Sequence, residues 1–448
     1  MTEMRRFGMS DFLWLLLVLI TAGGLRTAYL MAEADYGRDD PPVRVQDSSP
    51  KLELPGRPTE MQSLVDNLRD NTWFGTLAPF ANREEQTSHI APGLPWLLGS
   101  LAKVLPESSF HRTVRWLNVA LGTMTAGLYF LFARRAFRHL TVATVAGLLC
   151  ATHPFWVVNT GWSDDGTLTA FLLGLSLLLG ARATQSGGPI ASLLYGLTLA
   201  GLALVRATML PFAFVALIWF LLRSRTLARG WLCGLLAFLG FANGLAPWTV
   251  RNVQLFGEPM PIVDSAYLHL WIGNNPRAKG GPMTEGEMRL AAPLQNDTGK
   301  VKEKQPARYA ELGKAVVKEV RVDAVATVRR RTMAGLYFVF GERLFTDGRI
   351  EESDDPPRWL QMTLHVVLLG MLLIAVLGWR WSYAWRKESM PASLALVWVP
   401  LPYLLSHAER LHGPRLPLDG VLLTYVAFAL CCLLPKIGQR LREATPEE

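Results

Sequence analysis

Ten stretches of this chain are mostly apolar over 16–22 residues, and that repetition limits its fold more than any other feature. They run over 11–31, 114–133, 141–158, 166–183, 190–205, 207–223, 230–248, 359–380, 390–406 and 417–435. A helix needs about 20 mostly apolar residues to cross roughly 30 Å of hydrocarbon. The expected fold is therefore all-α and integral to a membrane, with about ten transmembrane helices. Two long polar segments, 32–113 and 249–358, interrupt them. Composition agrees: half of the 448 residues are apolar and only 18% are charged, against about 25% in soluble domains. This argues against a cytosolic enzyme, and the apolar content excludes disorder. Cys150, Cys233, Cys431 and Cys432 all lie in apolar runs, which reads as small buried hydrophobes and not as a disulfide framework or a metal site.

The first span, preceded by Arg5 and Arg6 and followed by Ala32-Glu33-Ala34, has some signal-peptide character. Apolar residues continue through Tyr29-Leu30-Met31, so a retained signal anchor is expected. With the N-terminus inside, the inner loops carry Arg134, Arg135, Arg138, Arg182, Arg223, Arg225, Arg229, Arg380, Arg386 and Lys387, and the tail adds Lys436, Arg440 and Arg442. The short outer loops carry only Arg206, Arg410 and Arg415. This positive-inside bias accounts for the net charge of +8 without nucleic acid as a partner. The apolar run 92–105 is too short to span and begins with prolines, so it reads as an interfacial or re-entrant helix. The expected organisation is an anchor (1–31), a first outer loop with interfacial helices (32–113), a six-span core (114–248), a large outer loop (249–358), three C-terminal spans (359–435) and a cytoplasmic tail (436–448). Both termini would then be cytoplasmic, and the protein would be a multi-pass protein of the inner (plasma) membrane. The stretch 305–336 has helical apolar spacing with basic residues between, as in an amphipathic helix on the outer leaflet. No Walker or dinucleotide-type glycine loop supports ATP hydrolysis or nucleotide-sugar binding.

This topology collects acids, bases and amides at one membrane surface. They include Asp47 and Glu60, Ser88-His89, Trp162-Ser163-Asp164-Asp165, Arg206, Pro247-Trp248-Thr249-Val250-Arg251-Asn252, Gly273-Asn274-Asn275-Pro276 and the 406–419 loop. Such groups suit an amphiphilic substrate whose charged head lies at that depth. Each also has a structural reading. Asp164 or Asp165 could cap the following helix, Arg206 and Arg251 could snorkel, and His89 could cap a helix.

In this order, the residues resemble the GT-C superfamily of integral-membrane glycosyltransferases. They look most like the bacterial relatives of dolichyl-phosphate-mannose protein mannosyltransferases and of the lipid A aminoarabinose transferase. The most specific string runs from Pro247 to Pro276, similar to a PW-x-x-RN…FG…P…GNNP pattern. Ala91-Pro92-Gly93-Leu94-Pro95 resembles a PGYP element, and Glu409 to Pro417 resembles an RYR-x-P element. The resemblance implies a polyprenyl-phosphate-linked sugar as donor and an extracytoplasmic lipid, glycan or protein as acceptor, with inversion at the anomeric carbon. A carboxylate would deprotonate the acceptor hydroxyl, and cations would hold the leaving phosphate.

The implied catalytic candidates are Glu60, Asp47, Asp164 and Asp165. The implied substrate-binding candidates are His89, Arg251, Asn252, Asn274, Arg410, His412 and Arg415. The family's first-loop Asp-Tyr pair is absent from Pro58–Leu68, where Glu60 is the nearest acid and Asp47 lies upstream. No cofactor is expected, with a divalent cation as the alternative. The rival readings are a lipid-linked-sugar transporter, which would carry in-span charges and broken helices, and a non-catalytic family member.

Overall fold

The computed structural model describes residues 8–35, 60–70, 73–76, 85–162, 164–226, 229–281, 305–340, 358–408 and 414–443. They are almost wholly helical. The exception is one short antiparallel pair, β1 (Gly75–Thr76) with β2 (Glu85–Gln86). The membrane part comprises α1 (Met9–Asp35), α4 (Glu107–Phe137), α5 (Leu140–Thr152), α6 (Pro154–Val158), α7 (Gly166–Ser186), α8 (Pro189–Val205), α9 (Leu210–Ser224) and α10 (Gly230–Phe256). It is completed by α14 (Arg358–Trp381), α15 (Arg386–Trp398), α16 (Leu401–Leu405) and α17 (Leu416–Leu433). The shorter helices are α2 (Glu60–Asp70), α3 (Gly93–Val104), α11 (Ala266–Asn274), α12 (Gln305–Val322), α13 (Ala324–Phe340) and α18 (Pro435–Glu443).

Among the described residues seven helical stretches are long and apolar enough to cross a membrane. An eighth is added if α5 and the α6 turn, bent by 52° at His153, count as one span. The difference from ten has two sources. The apolar helix α8 has only 17 residues, and His365–Leu405 forms one 41-residue helical stretch where two spans were expected. A 3-10 turn at Ser382–Trp385 interrupts that stretch.

Burial follows the sequence pattern. Helix α17 is apolar all round and sits at the centre, with 89% of its span buried. In α1 only 17% of the span is buried, and Phe12, Leu13, Leu16 and Ile20 face outward. Exposed Val366, Val367, Leu373 and Val376 do the same on α14. Apolar surface on this scale is what a lipid-contacting bundle presents. All four cysteines are buried and unpaired.

Polar contacts mark two ends of the bundle. At one, Arg134 pairs with Asp11, Arg135 donates to Gln185 and Arg138 pairs with Glu388. At the other, here called the loop face, the segments 73–76, 85–90, 257–281 and 403–408 are tied together, the Thr87 N–H donating to Phe74, the Asp264 N–H to Ser88 and the Ala408 N–H to Gly280. Helix α3 has 12 residues, too few to span, and packs Leu94 and Leu98 against Val65 of α2 and Val114 of α4. The continuous helix expected over 305–336 is broken at Asp323. Its Oδ1 accepts the Ala326 N–H at 2.8 Å and starts α13 afresh. The apolar side of α12, through Tyr309 and Leu312, packs on Leu268 and Ile272 of α11. Val317 and Val322 of α12 and Val325 and Val328 of α13 remain exposed.

Candidate functional site

Two acids stand before α7, and the fold gives them different surroundings. Asp164 is 7% exposed. Its Oδ1 accepts from Asn159 Nδ2 at 3.0 Å and from the Gly166 N–H at 2.9 Å, so it closes the turn leading into the helix. Burial pushes its pKa up to about 6. Neighbouring Asp165 adds to the rise, and the two hydrogen bonds oppose it. Asp164 also lines a narrow apolar crevice between α3, α4 and α7, beside Leu94, Leu98, Leu121 and Leu168. Asp165 instead meets Arg206, whose Nε lies 2.7 Å from Oδ2 and whose Nη2 engages Oδ1. Arg206 is therefore an ion-pair partner, where the sequence suggested a snorkelling cation. Asn118 Nδ2 donates to the Trp162 carbonyl at 2.7 Å and fixes the same loop to α4. A carboxyl that titrates near neutrality at the wall of an apolar crevice can accept a proton from a hydroxyl.

The most family-specific string forms a clamp. Arg251 lies over the Trp248 ring at 4.4 Å and the Phe74 ring at 5.4 Å. Its Nη1 donates to the Thr87 carbonyl at 2.9 Å and its Nη2 to the Phe74 carbonyl at 3.1 Å. Asn252 is fully buried and donates to the Met260 and Ile262 carbonyls; Trp248 Nε1 also donates to Ile262, at 2.7 Å. These side chains fasten the first loop segment and the 257–265 turn onto the end of α10.

The Gly273-Asn274-Asn275 run fastens a second junction. A Cβ on Gly273 would fall 1.8 Å from the Ser406 carbonyl oxygen, so only glycine permits this approach of α11 to the end of α16. Asn274 Nδ2 donates to the Leu405 carbonyl at 3.2 Å, and its Oδ1 accepts from Arg331. Arg330 donates to the Asn274 and Asn275 carbonyls at 3.0 and 2.6 Å.

His89 joins this junction. Its Nδ1 is 3.0 Å from the Tyr309 hydroxyl, and its ring stacks at 6.3 Å on His269. His269 Nδ1 is in turn 3.2 Å from His407 Nε2. Burial pushes His89 to about 3, His269 to about 4 and His407 to about 3, so the stack is neutral at pH 7. Among the described residues no group of three or more His, Cys, Asp or Glu is arranged to hold a metal ion.

The last loop contributes Arg415, which is 1% exposed. Its Nε donates to Asp419 Oδ1 at 2.8 Å and its Nη1 to the Val339 carbonyl. His153 Nε2 lies 3.5 Å from the other oxygen of Asp419. The starts of α7 and α17 meet at Gly166, where an added Cβ would stand 3.1 Å from both Asp164 Oδ1 and Leu416 Cδ2. Asp47, Arg410 and His412 lie outside the described residues. Glu60 opens α2, and its side chain also lies outside them. Thus Asp164, Asp165 and Arg415 gather around the starts of α7 and α17, while His89, Arg251, Asn252 and Asn274 bind loop segments to one another. His407 and Asp419 lay within the 406–419 loop and Tyr309 within the 305–336 stretch without being chosen as candidates, and His269 and Arg26 were passed over. For Arg26 a signal existed, a guanidinium within an apolar run.

Residues 89–249 match the family model described as dolichyl-phosphate-mannose-protein mannosyltransferase. That segment holds His89, Asp164, Asp165 and Arg206 and stops just short of Arg251. No curated protein sequence matches the chain. Solved structures of the oligosaccharyltransferase of Archaeoglobus fulgidus share its fold. One is AglB in complex with an inhibitory peptide and a dolichol-phosphate, with 14% identity and a TM-score of 0.52 over 98% of this chain and 53% of that one. The apo form gives 15% and 0.53 over 97% and 52%. The form tethered to an acceptor peptide containing the NVT sequon gives 13% and 0.53 over 98% and 51%. The chain thus spans about half the length of these structures. The GT-C resemblance read from the sequence is borne out, and the fold is an all-α, GT-C-like integral membrane fold.

Proposed function

We propose that this protein is a membrane glycosyltransferase that moves a sugar from a polyprenyl-phosphate donor to an acceptor hydroxyl outside the cytoplasm. The observation that carries the reading is Asp164. It is a buried carboxylate with a pKa of about 6, at the wall of an apolar crevice, inside the segment that matches the mannosyltransferase family model. In the proposed reaction a carboxylate takes the acceptor O–H proton as the oxygen attacks the anomeric carbon. The bond from that carbon to the phosphate oxygen breaks, its electron pair stays on the lipid phosphate, and one displacement inverts the centre. Arg415, with Arg410 and His412 of the same loop, would balance the charge on the leaving phosphate. His89, Arg251, Asn252 and Asn274 would position the loops that enclose it. The base is drawn from Glu60, Asp47, Asp164 and Asp165. The protein would sit in the plasma membrane with both termini cytoplasmic and the loop face outside.

The test is incubation of the purified protein with radiolabelled polyprenyl-phosphate sugars and a membrane extract, asking which molecule acquires label. Label should reach an acceptor with wild type and be lost in at least one of E60Q, D47N, D164N and D165N. Undiminished transfer in all four variants would remove the proposed base, and no transfer by wild type would leave a non-catalytic protein. A transporter of lipid-linked sugars is a second reading, favoured by the 52° break between α5 and α6. It requires movement of intact donor across a sealed vesicle with no acceptor present.

A further inference from the structure

Arg26 lies on α1 and is fully buried. Its Nη1 donates to the Ala22 carbonyl at 3.0 Å and to the Ala151 carbonyl, in the last turn of α5, at 3.1 Å. Its Nε and Nη2 find no acceptor among the described residues. A guanidinium cannot lose its charge at neutral pH, and burying it without a counter-ion is costly. Asp419 does not serve as its counter-ion, because it is held by Arg415 at 2.8 Å and approached by His153 at 3.5 Å. Among the described residues, the charges that act on His153 are thus two guanidinium groups, Arg26 and Arg415, and one carboxylate, Asp419.

Arg26 also lines a small cavity, together with Gly122, Thr125, Trp156, Thr167 and Leu416. Thr167 and Leu416 lie in the first turns of α7 and α17, whose N-terminal ends favour negative charge. On α4 and α7 this cavity adjoins the apolar crevice that holds Asp164, since Leu121 and Leu168 line one and Gly122 and Thr167 the other. A fixed cation near a leucine-lined crevice matches an anion that carries a hydrocarbon chain.

We propose that Arg26 binds the phosphate of a polyprenyl monophosphate through Nε and Nη2, with part of the prenyl chain in the adjoining crevice. The site rests on the glycosyltransferase reading and adds to it a binding residue inside the first span. The guanidinium fork suits a phosphate better than a single ammonium does. Gly122 supports this geometry, because a Cβ there would stand 2.6 Å from Arg26 Nε and crowd that nitrogen.

The test measures binding of ³²P-labelled polyprenyl monophosphate to the full chain in nanodiscs, without turnover, with inorganic phosphate and unphosphorylated polyprenol as competitors. Wild type should bind, R26Q and G122A should bind at least tenfold more weakly, and R26K should fall between. Equal binding by wild type, R26Q and G122A would overturn the Arg26 site and leave the glycosyltransferase reading standing. Absence of binding by wild type would overturn both. Competition by inorganic phosphate as strong as by unlabelled lipid would show an anion site that ignores the chain and would overturn the lipid assignment. Should R26Q and G122A both fail to fold, a diazirine-bearing polyprenyl monophosphate on wild type decides the matter. Crosslinks to peptides containing Arg26, Gly122 or Thr167 support the site, and crosslinks only elsewhere overturn it.

Discussion

Asp165 and Arg206 form a two-point ion pair that locks the start of α7 to the end of α8, with Arg206 Nε 2.7 Å from Asp165 Oδ2. Both side chains are mostly covered, at 27% and 13% exposure, so solvent screens them less than a surface pair. Arg206→Ala should lower stability by about 1–3 kcal/mol, between the values for exposed and buried pairs. Arg206→Lys should recover only part of this, because an ammonium cannot make the fork. Thermal unfolding of the detergent-solubilised protein, run as a double-mutant cycle with Asp165→Asn, isolates the pair. Additive effects would mean that it contributes nothing.

Arg251 is expected to act on stability before it acts on any ligand. Its guanidinium holds carbonyls that lie 164 and 177 residues earlier in the chain and stacks on Trp248. Arg251→Lys removes the planar fork and most of the stacking, which should cost about 1–3 kcal/mol. Limited proteolysis should then cut the first loop segment faster, around Phe74 to Thr87. Unchanged unfolding with weakened binding of lipid phosphate would reverse the assignment and make Arg251 a ligand.

How far the sequence could be read depends on the range of the forces involved. Spans were legible because apolar content over about 20 residues is a local property. The break expected after residue 380 is there, as the 3-10 turn Ser382–Trp385 after a helix that ends at Trp381, but helical structure continues on both sides of it in place of an open loop. Asp164 and Asp165 were visible as acids at a span end. Their division into a buried turn-forming acid and an ion-paired one was not, since Arg206 and the walls of the crevice arrive from other helices. The Asn274 motif could be recognised, but its contacts with Arg331 and Leu405 depend on tertiary closure. Arg26 was passed over because one charge barely lowers the mean hydropathy of a long apolar window. Its significance lies in which of its nitrogens lack partners.

Gly273 offers a direct test of the junction between α11 and α16. An alanine methyl would meet the Ser406 carbonyl oxygen at 1.8 Å, and backbone must move to relieve it. Gly273→Ala should therefore destabilise by about 1–3 kcal/mol, as overpacking does. It should also loosen the stacked His89, His269 and His407. Hydrogen exchange over 266–275 checks this. Unaltered protection there would show that the two segments do not pack this closely.

Asp164 gives stability a pH dependence opposite in sign to that of an ordinary ion-paired carboxylate. Its folded pKa of about 6 lies above the ordinary 3.8. Between about pH 4 and 6 the folded state therefore keeps a proton that the unfolded chain has released. Its contribution is most favourable below that window, declines as pH rises through it, and leaves a penalty of about 3 kcal/mol above pH 6. Asp164→Asn removes the ionisation, while the amide oxygen can still accept from Asn159 and the Gly166 N–H. The variant should thus gain stability relative to wild type at pH 7.5, and the gain should shrink toward pH 4. Unfolding curves of both proteins across that range measure it directly. If Asp164 is the base that accepts the acceptor proton, transfer by wild type should also rise through about pH 6, and the asparagine variant should lose both the transfer and that limb. A stability difference that stays flat from pH 4 to 7.5 would mean that the carboxyl is neither as buried nor as shifted as its surroundings require.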